Sequence, residues 1–245
     1  MPALESVASS THPALIVVAA PAEARAVLRA TSLDPETEIS AWSAIKLPAP
    51  HEHLELLLTG IGKANAAAGL VAAFDPPRHS AVINVGVAGM LPTSGLALGQ
   101  AVLATQSVYA DEGGITPNGF VDIAEMGFPP DLLAGTDTSI GKDGDSTLIA
   151  VLTPLTQRQG NIATVSTCSG TDDFAWEIAN RTGAIAECME GAALAFTAAQ
   201  LKRADATSLP FAEIRTISNT TGNRDSQQWN LKSALDQLTE LVNRL

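Results

Sequence analysis

The chain has 245 residues, enough for one sizeable domain with its own core. It is 46% hydrophobic but only 4% aromatic, so that core must be built from Ala, Val, Leu and Ile. A formal net charge of −12 argues against nucleic acid or an anionic membrane as partner, since both are bound through clustered Lys and Arg, and leaves a small molecule as the expected ligand.

Residues 1–12 read as a flexible N-terminal tail, without the basic start and apolar core of a signal peptide. With no apolar run long enough to cross a bilayer, a cytoplasmic protein is expected. ALIVVAA (14–20) is a short strand apolar on both faces, and Pro21 opens a helix over AEARAVLRA. LELLLTG (54–60) is a second strand. GKANAAAGLVAAF (62–74) is a helix that Asp75, Pro76 and Pro77 stop. AVINVGVAG (81–89) and AVLATQSVY (101–109) read as strands. Residues 110–147 are rich in Gly, Asp, Thr and Pro with little periodicity, which suggests a functional loop or lid. NIATVST (161–167) is a strand, DDFAWEIANRT (172–182) a helix that Gly183 caps, AIAE (184–187) a strand running into a helix over 190–203, and FAEIRTIS (211–218) the last strand. Leu231, Leu235, Leu238, Val242 and Leu245 mark one apolar face of a C-terminal helix. Strands alternating with helices, without repeat or linker, predict one α/β domain over 13–245: a three-layer αβα sandwich on a mostly parallel, mixed sheet.

In such folds ligands sit at the carboxyl ends of the strands. The residues there include Glu23, Gly60 to Lys63, Gly86 to Gly89, Ser169 to Thr171, Met189 to Gly191, and Ser218 to Thr220. Gly60-Ile61-Gly62-Lys63 lacks the glycine spacing of a phosphate loop, and Ala64 stands where Ser or Thr is needed, so it reads as a tight turn into a helix. His51 and His53 share a strand face but have no further ligands at a recognisable spacing, and Asp143-Gly144-Asp145 reads as a solvated turn; neither metal nor cofactor is expected. Cys168 and Cys188 show no disulfide framework and read as small buried hydrophobes. Glu23 and Glu190 stand out. Each alone fits a first-turn acid complementing a helix dipole; the pair at two strand ends beside glycine turns fits a pocket equally well.

Four segments in order carry a family likeness: LLLTGIGKANAAAG, VINVGVAGML, CMEGAA and EIRTISN. With them, nearly the whole chain resembles the nucleoside phosphorylase and nucleosidase superfamily, and so does its expected fold. The resemblance implies a purine nucleoside as substrate, a homo-oligomer, Met189 and Glu190 at the ribose, and Glu23 as the carboxylate that activates water. Asn84 and Val87 stand where phosphorylases of this fold carry an arginine and a serine for phosphate, and neither side chain can clamp a dianion, so water is the expected nucleophile. Adenine nucleosidases end the Ile-Ser motif with Asp. Here it is Asn219, whose amide offers NH₂ and C=O together and suits a 6-oxopurine. Met-Glu-Gly-Ala-Ala, the Ser-Asn ending, and Arg224, Asp225 and Trp229 after it resemble the futalosine hydrolase branch. That branch releases hypoxanthine and dehypoxanthine futalosine in menaquinone biosynthesis. The likeness places Gly86, Val87, Ala88 and Gly89 with Ser169, Gly170, Thr171 and Phe174 around the base; Arg224 fits either a pairing with the carboxylate of the 5′ group or an ordinary surface ion pair.

Overall fold

The computed structural model describes residues 4–31, 33–128 and 141–245. In chain order it runs through β1 (Ala14–Val18), α1 (Pro21–Arg29), β2 (Ile45–Lys46), β3 (Leu54–Leu58), α2 (Lys63–Ala73), β4 (Ala81–Met90) and β5 (Ala101–Tyr109). A hairpin of β6 (Gly113–Thr116) and β7 (Gly119–Asp122) follows, then β8 (Gly141–Asp143), α3 (Ser146–Leu152) and β9 (Arg158–Thr164). The chain ends with α4 (Asp172–Thr182), β10 (Ala184–Cys188), α5 (Gly191–Gln200), β11 (Phe211–Thr220) and α6 (Leu231–Val242).

The main sheet is mixed, in the order β10-β9-β5-β11-β4-β1-β3-β2. β1 runs parallel to β3 and β4, and β11 parallel to β4, whereas β5 and β11 are antiparallel. A second contact closes part of the sheet on itself: β10 also pairs with the end of β4, Glu187 opposite Gly89 and Ala186 opposite Met90. Helices cover both faces, as the apolar strands require. In β1, Ala14, Ile16 and Val18 join the core beneath α1, α3 and α6, while Leu15 and Val17 join the core beneath α2 and α5. The expected layered α/β architecture is what folds.

Element boundaries follow local chemistry. Thr171 accepts the Phe174 N–H at the start of α4, and Gly183 ends it at φ 64°. Asp145, expected in a solvated turn, accepts the N–H groups of Thr147 and Leu148 and so opens α3. Three expectations need revision. Leu4 and Ala8 are buried against the main core, so the N-terminal stretch is not loose there; residues 1–3 lie outside the described residues. The span 110–147 carries the hairpin, β8 and the start of α3, with 129–140 outside the described residues. In α6, Leu238 and Val242 are buried, but Leu231, at the first helical position, stays exposed.

Candidate active site

Glu23 is the third residue of α1, and its carboxylate turns back toward the strand ends. Oε2 accepts the N–H groups of Ala19 and Ala20 (3.0 and 2.9 Å), and Oε1 accepts the N–H of Val87 (2.8 Å). Three backbone donors thus fix the group, and Oε1 keeps a lone pair for a further donor. Gly86 makes the approach possible: a Cβ there would stand 2.5 Å from Glu23 Oε1. The Val87 N–H, a natural anion ligand, is already spent on this carboxylate. Asn84 is fully buried, its amide donating to Val17 O and accepting from Arg215.

Glu190 lies just before α5 and is 4% exposed, as is Glu23. Its Oε1 accepts the Gly62 N–H (3.0 Å), and its Oε2 lies 3.5 Å from Arg215 Nη1. Gly62 adopts φ 93°, which glycine supplies at no steric cost, and that conformation aims its N–H at the carboxylate. The Gly60–Lys63 turn therefore serves Glu190, while Lys63 pairs away from it with Asp111 and Glu112. Arg215 is 1% exposed and was not among the sequence candidates. Its Nε donates to Glu213 Oε1 (2.8 Å), which also accepts the Cys188 thiol (3.2 Å); Glu213 Oε2 accepts Ser107 Oγ. Burial pushes the Cys188 thiol pKa up, so it acts as a neutral donor. Removing one partner from such a network leaves a buried charge unpaired, at a cost of about 3–5 kcal/mol. One signal was readable: residues 213 and 215 are two apart on a strand, so their opposite charges share a face.

Asn219 owes its direction to a bulge. The β11–β4 register slips between Ile217 and Asn219, leaving Ser218 as the extra residue. Bulges re-aim side chains in this way. Ser218 Oγ reaches Asn219 Oδ1 (2.8 Å) and Ala88 O (3.2 Å), and Asn219 Nδ2 donates one hydrogen to Thr220 O (2.8 Å), leaving its second free.

These groups meet at one cavity of about 200 Å³ at the carboxyl ends of the strands. Of the predicted site residues, Glu23, Val87, Ala88, Gly89, Ser169, Met189, Glu190, Asn219 and Arg224 line it. Gly86 lies beneath Glu23 and is not part of the lining. Thr171 is occupied in capping α4, and Phe174 packs against a separate apolar cluster with Ala175 and Ile178, so neither walls the cavity. Gly170 also stands back, its carbonyl accepting the Arg224 N–H (3.1 Å). Glu187 and Gln227 line it as well and were not among the sequence candidates; Ile61 and Trp229, named there without a role, also line it, as does Cys168, which is exposed rather than buried as expected. Glu187 is a third buried carboxylate; it accepts Ser169 N–H (2.8 Å) and Ser169 Oγ (2.6 Å). Burial raises its pKa, and the Ser169 bonds pull it partly back. His51 and His53 lie ahead of β3, away from the strand ends that form the cavity. No cluster of three metal-ligating side chains occurs among the described residues.

Residues 13–245 match the model of the phosphorylase superfamily. A futalosine hydrolase of Streptomyces coelicolor is 33% identical over 238 residues, 94% of each chain. One from Thermus thermophilus is 36% identical over 202 residues, 77% of this chain and 79% of its own. Among solved structures, the native futalosine hydrolase of Helicobacter pylori superposes with a TM-score of 0.72 at 17% identity, covering 95% of this chain and 96% of its own. The 5′-methylthioadenosine/S-adenosylhomocysteine nucleosidase of the same organism gives 0.73 at 20% identity, over 97% and 100%. At such identities these two speak for the fold alone.

Proposed function

The chain belongs to the phosphorylase superfamily, and from that premise we propose that it is a hydrolase cleaving the N-glycosidic bond of futalosine to hypoxanthine and dehypoxanthine futalosine, a step of menaquinone biosynthesis. The observation that carries the reading is the meeting of Glu23 and Glu190 at one cavity, with a carboxylate on the amide where an anion would bind. A phosphate dianion would face two carboxylates, whereas water suits Glu23 Oε1 and its remaining lone pair. Glu190 takes the ribose hydroxyls, with Met189 beneath the sugar. Its charge favours the positive character that develops on the sugar ring. Water oxygen bonds to C1′ while the C1′–N9 bond breaks, its electron pair leaving with the base. Glu23 takes the proton that water sheds, and hypoxanthine, released as an anion, is protonated from solvent. Asn219 steadies the departing base through its free amide hydrogen. Arg224, whose guanidinium lies 5.4 Å from the centre of the Trp229 ring, faces the carboxylate of the 5′ group.

The reading extends to assembly and place: a homo-oligomer in the cytoplasm, with a neighbouring copy's loop completing the pocket. Ile61, at the cavity, and Val71, on α2, are both more than half exposed, which supports contact between copies on this side. No helix of the described residues is long and apolar enough to cross a membrane.

The test is incubation with futalosine, inosine and methylthioadenosine, with and without phosphate, scored for free base. Base released from futalosine alone, independent of phosphate, is the expected result. Glu23→Gln should abolish turnover while binding is largely kept. Unchanged turnover in that variant removes Glu23 from its role, and phosphate-dependent release replaces hydrolysis by phosphorolysis.

A further inference from the structure

Glu187 is a buried carboxylate that the mechanism above does not use. It is 5% exposed, lines the cavity, and has no cationic partner among the described residues. Its position is set by register. Gly89, at the end of β4, pairs with Glu187 of β10 on one side and with Asn219 of β11 on the other. Residues directly paired across neighbouring strands present their side chains to the same face. Glu187 and Asn219 therefore flank Gly89 on one face, two strand spacings or roughly 10 Å apart. The residue between them carries no side chain, and a Cβ there would stand 2.9 Å from Thr221 Cγ2 and 3.1 Å from Asn219 Nδ2. A carboxylate and an amide thus stand on either side of Gly89 at the cavity, at a spacing that suits the two edges of a flat ring system.

We propose that Glu187 accepts the N1–H of a 6-oxopurine and so sets this site against adenine. The inference rests on the hydrolase reading and specifies how the base is chosen. Ser169 donates one bond to each oxygen of Glu187. That fixes the plane of the carboxylate and leaves each oxygen a lone pair for a ligand donor. Hypoxanthine offers a donor at N1 and acceptors at O6 and N7, complementary to an acceptor at Glu187 and the free N–H of Asn219. Adenine offers a lone pair at N1, which meets a carboxylate lone pair. A site built to receive a hydrogen bond rejects the analogue that cannot supply it, because its own buried group is left unpaired.

The first experiment uses the native protein and measures binding of hypoxanthine, 1-methylhypoxanthine and adenine by calorimetry, with inhibition of futalosine cleavage as a second readout. Hypoxanthine should bind at least about 10-fold more tightly than either analogue. The second measures Glu187→Gln on futalosine and on the same molecule with adenine as its base. kcat/KM for futalosine should fall about 10- to 100-fold, and the preference over the 6-amino substrate should collapse. Equal binding of hypoxanthine and 1-methylhypoxanthine overturns the assignment, as does a variant that keeps its preference. If the variant does not fold, the methylated base decides. Failure of the native protein to cleave futalosine is a separate result; it removes the hydrolase reading and this one with it.

Discussion

Glu190 shows what a carboxylate gives up to reach a sugar. Burial pushes its pKa above the ordinary 4.5; the Arg215 guanidinium and the Gly62 N–H pull it back, and Glu23 and Glu213 push it up again. A raised carboxyl pKa means that the proton is retained to higher pH. The charge that accepts ribose hydroxyls appears only as pH rises through that value. On the proposed function, kcat/KM for futalosine should therefore fall on the acid side, with its inflection above the ordinary 4.5. Glu190→Gln should lower the rate by about 100-fold and weaken this acid limb. A profile that stays flat as pH falls to 4.5 would show that the charged form is not needed.

At the scale of elements, the site depends on how closely backbones approach. The end of β4 and the first turn of α1 meet through Glu23 and Val87, and Gly86 leaves room for the meeting. Gly86→Ala would put a Cβ 2.5 Å from Glu23 Oε1 and 2.7 Å from Arg215 Nη1, so the carboxylate must move. A shift of that size in a reacting group costs on the order of 100-fold in rate. The variant should lose kcat while its circular dichroism stays native; full activity would mean that Glu23 tolerates displacement. The elements themselves were largely legible. Apolar runs marked β1, β3 and β4, and the Gly183 stop gave α4 its end. The β6–β7 hairpin was not legible, because neither strand has a buried residue and both lack the alternation that a buried face imposes. Glu23, Glu190 and Asn219 could be placed because each sits where a strand ends in a recognisable motif. Glu187 could not, since its place depends on the β10–β4 closure, a pairing between positions 89 and 187 that no local pattern announces. Thr171 and Phe174 were misplaced for the converse reason: a loop beside a site also has a helix to cap and a core to fill.

Across the whole molecule, electrostatics set the terms on which a substrate arrives. The chain carries 26 acidic and 14 basic residues. Glu23, Glu187 and Glu190 line the cavity, where Arg224 is the cation, while Arg215 beneath it is spent on Glu190 and Glu213. A futalosine carboxylate therefore approaches through a repulsive field and meets attraction only at close range. Salt shortens the reach of the repulsion, from about 30 Å at 0.01 M to about 8 Å at 0.15 M, and screens a contact pair far less. kcat/KM for futalosine should thus rise a few-fold over that range, while binding of uncharged inosine stays constant. Arg224→Gln separates the two contributions: KM for futalosine should increase, inosine should be unaffected, and the rise with salt should persist because the molecule's net charge still repels. A native kcat/KM that falls with salt would mean that attraction at the mouth of the cavity outweighs the net charge. In that case Arg224→Gln should reverse the salt dependence, because the net charge of −12 still repels, and the same pair of titrations reads out either answer.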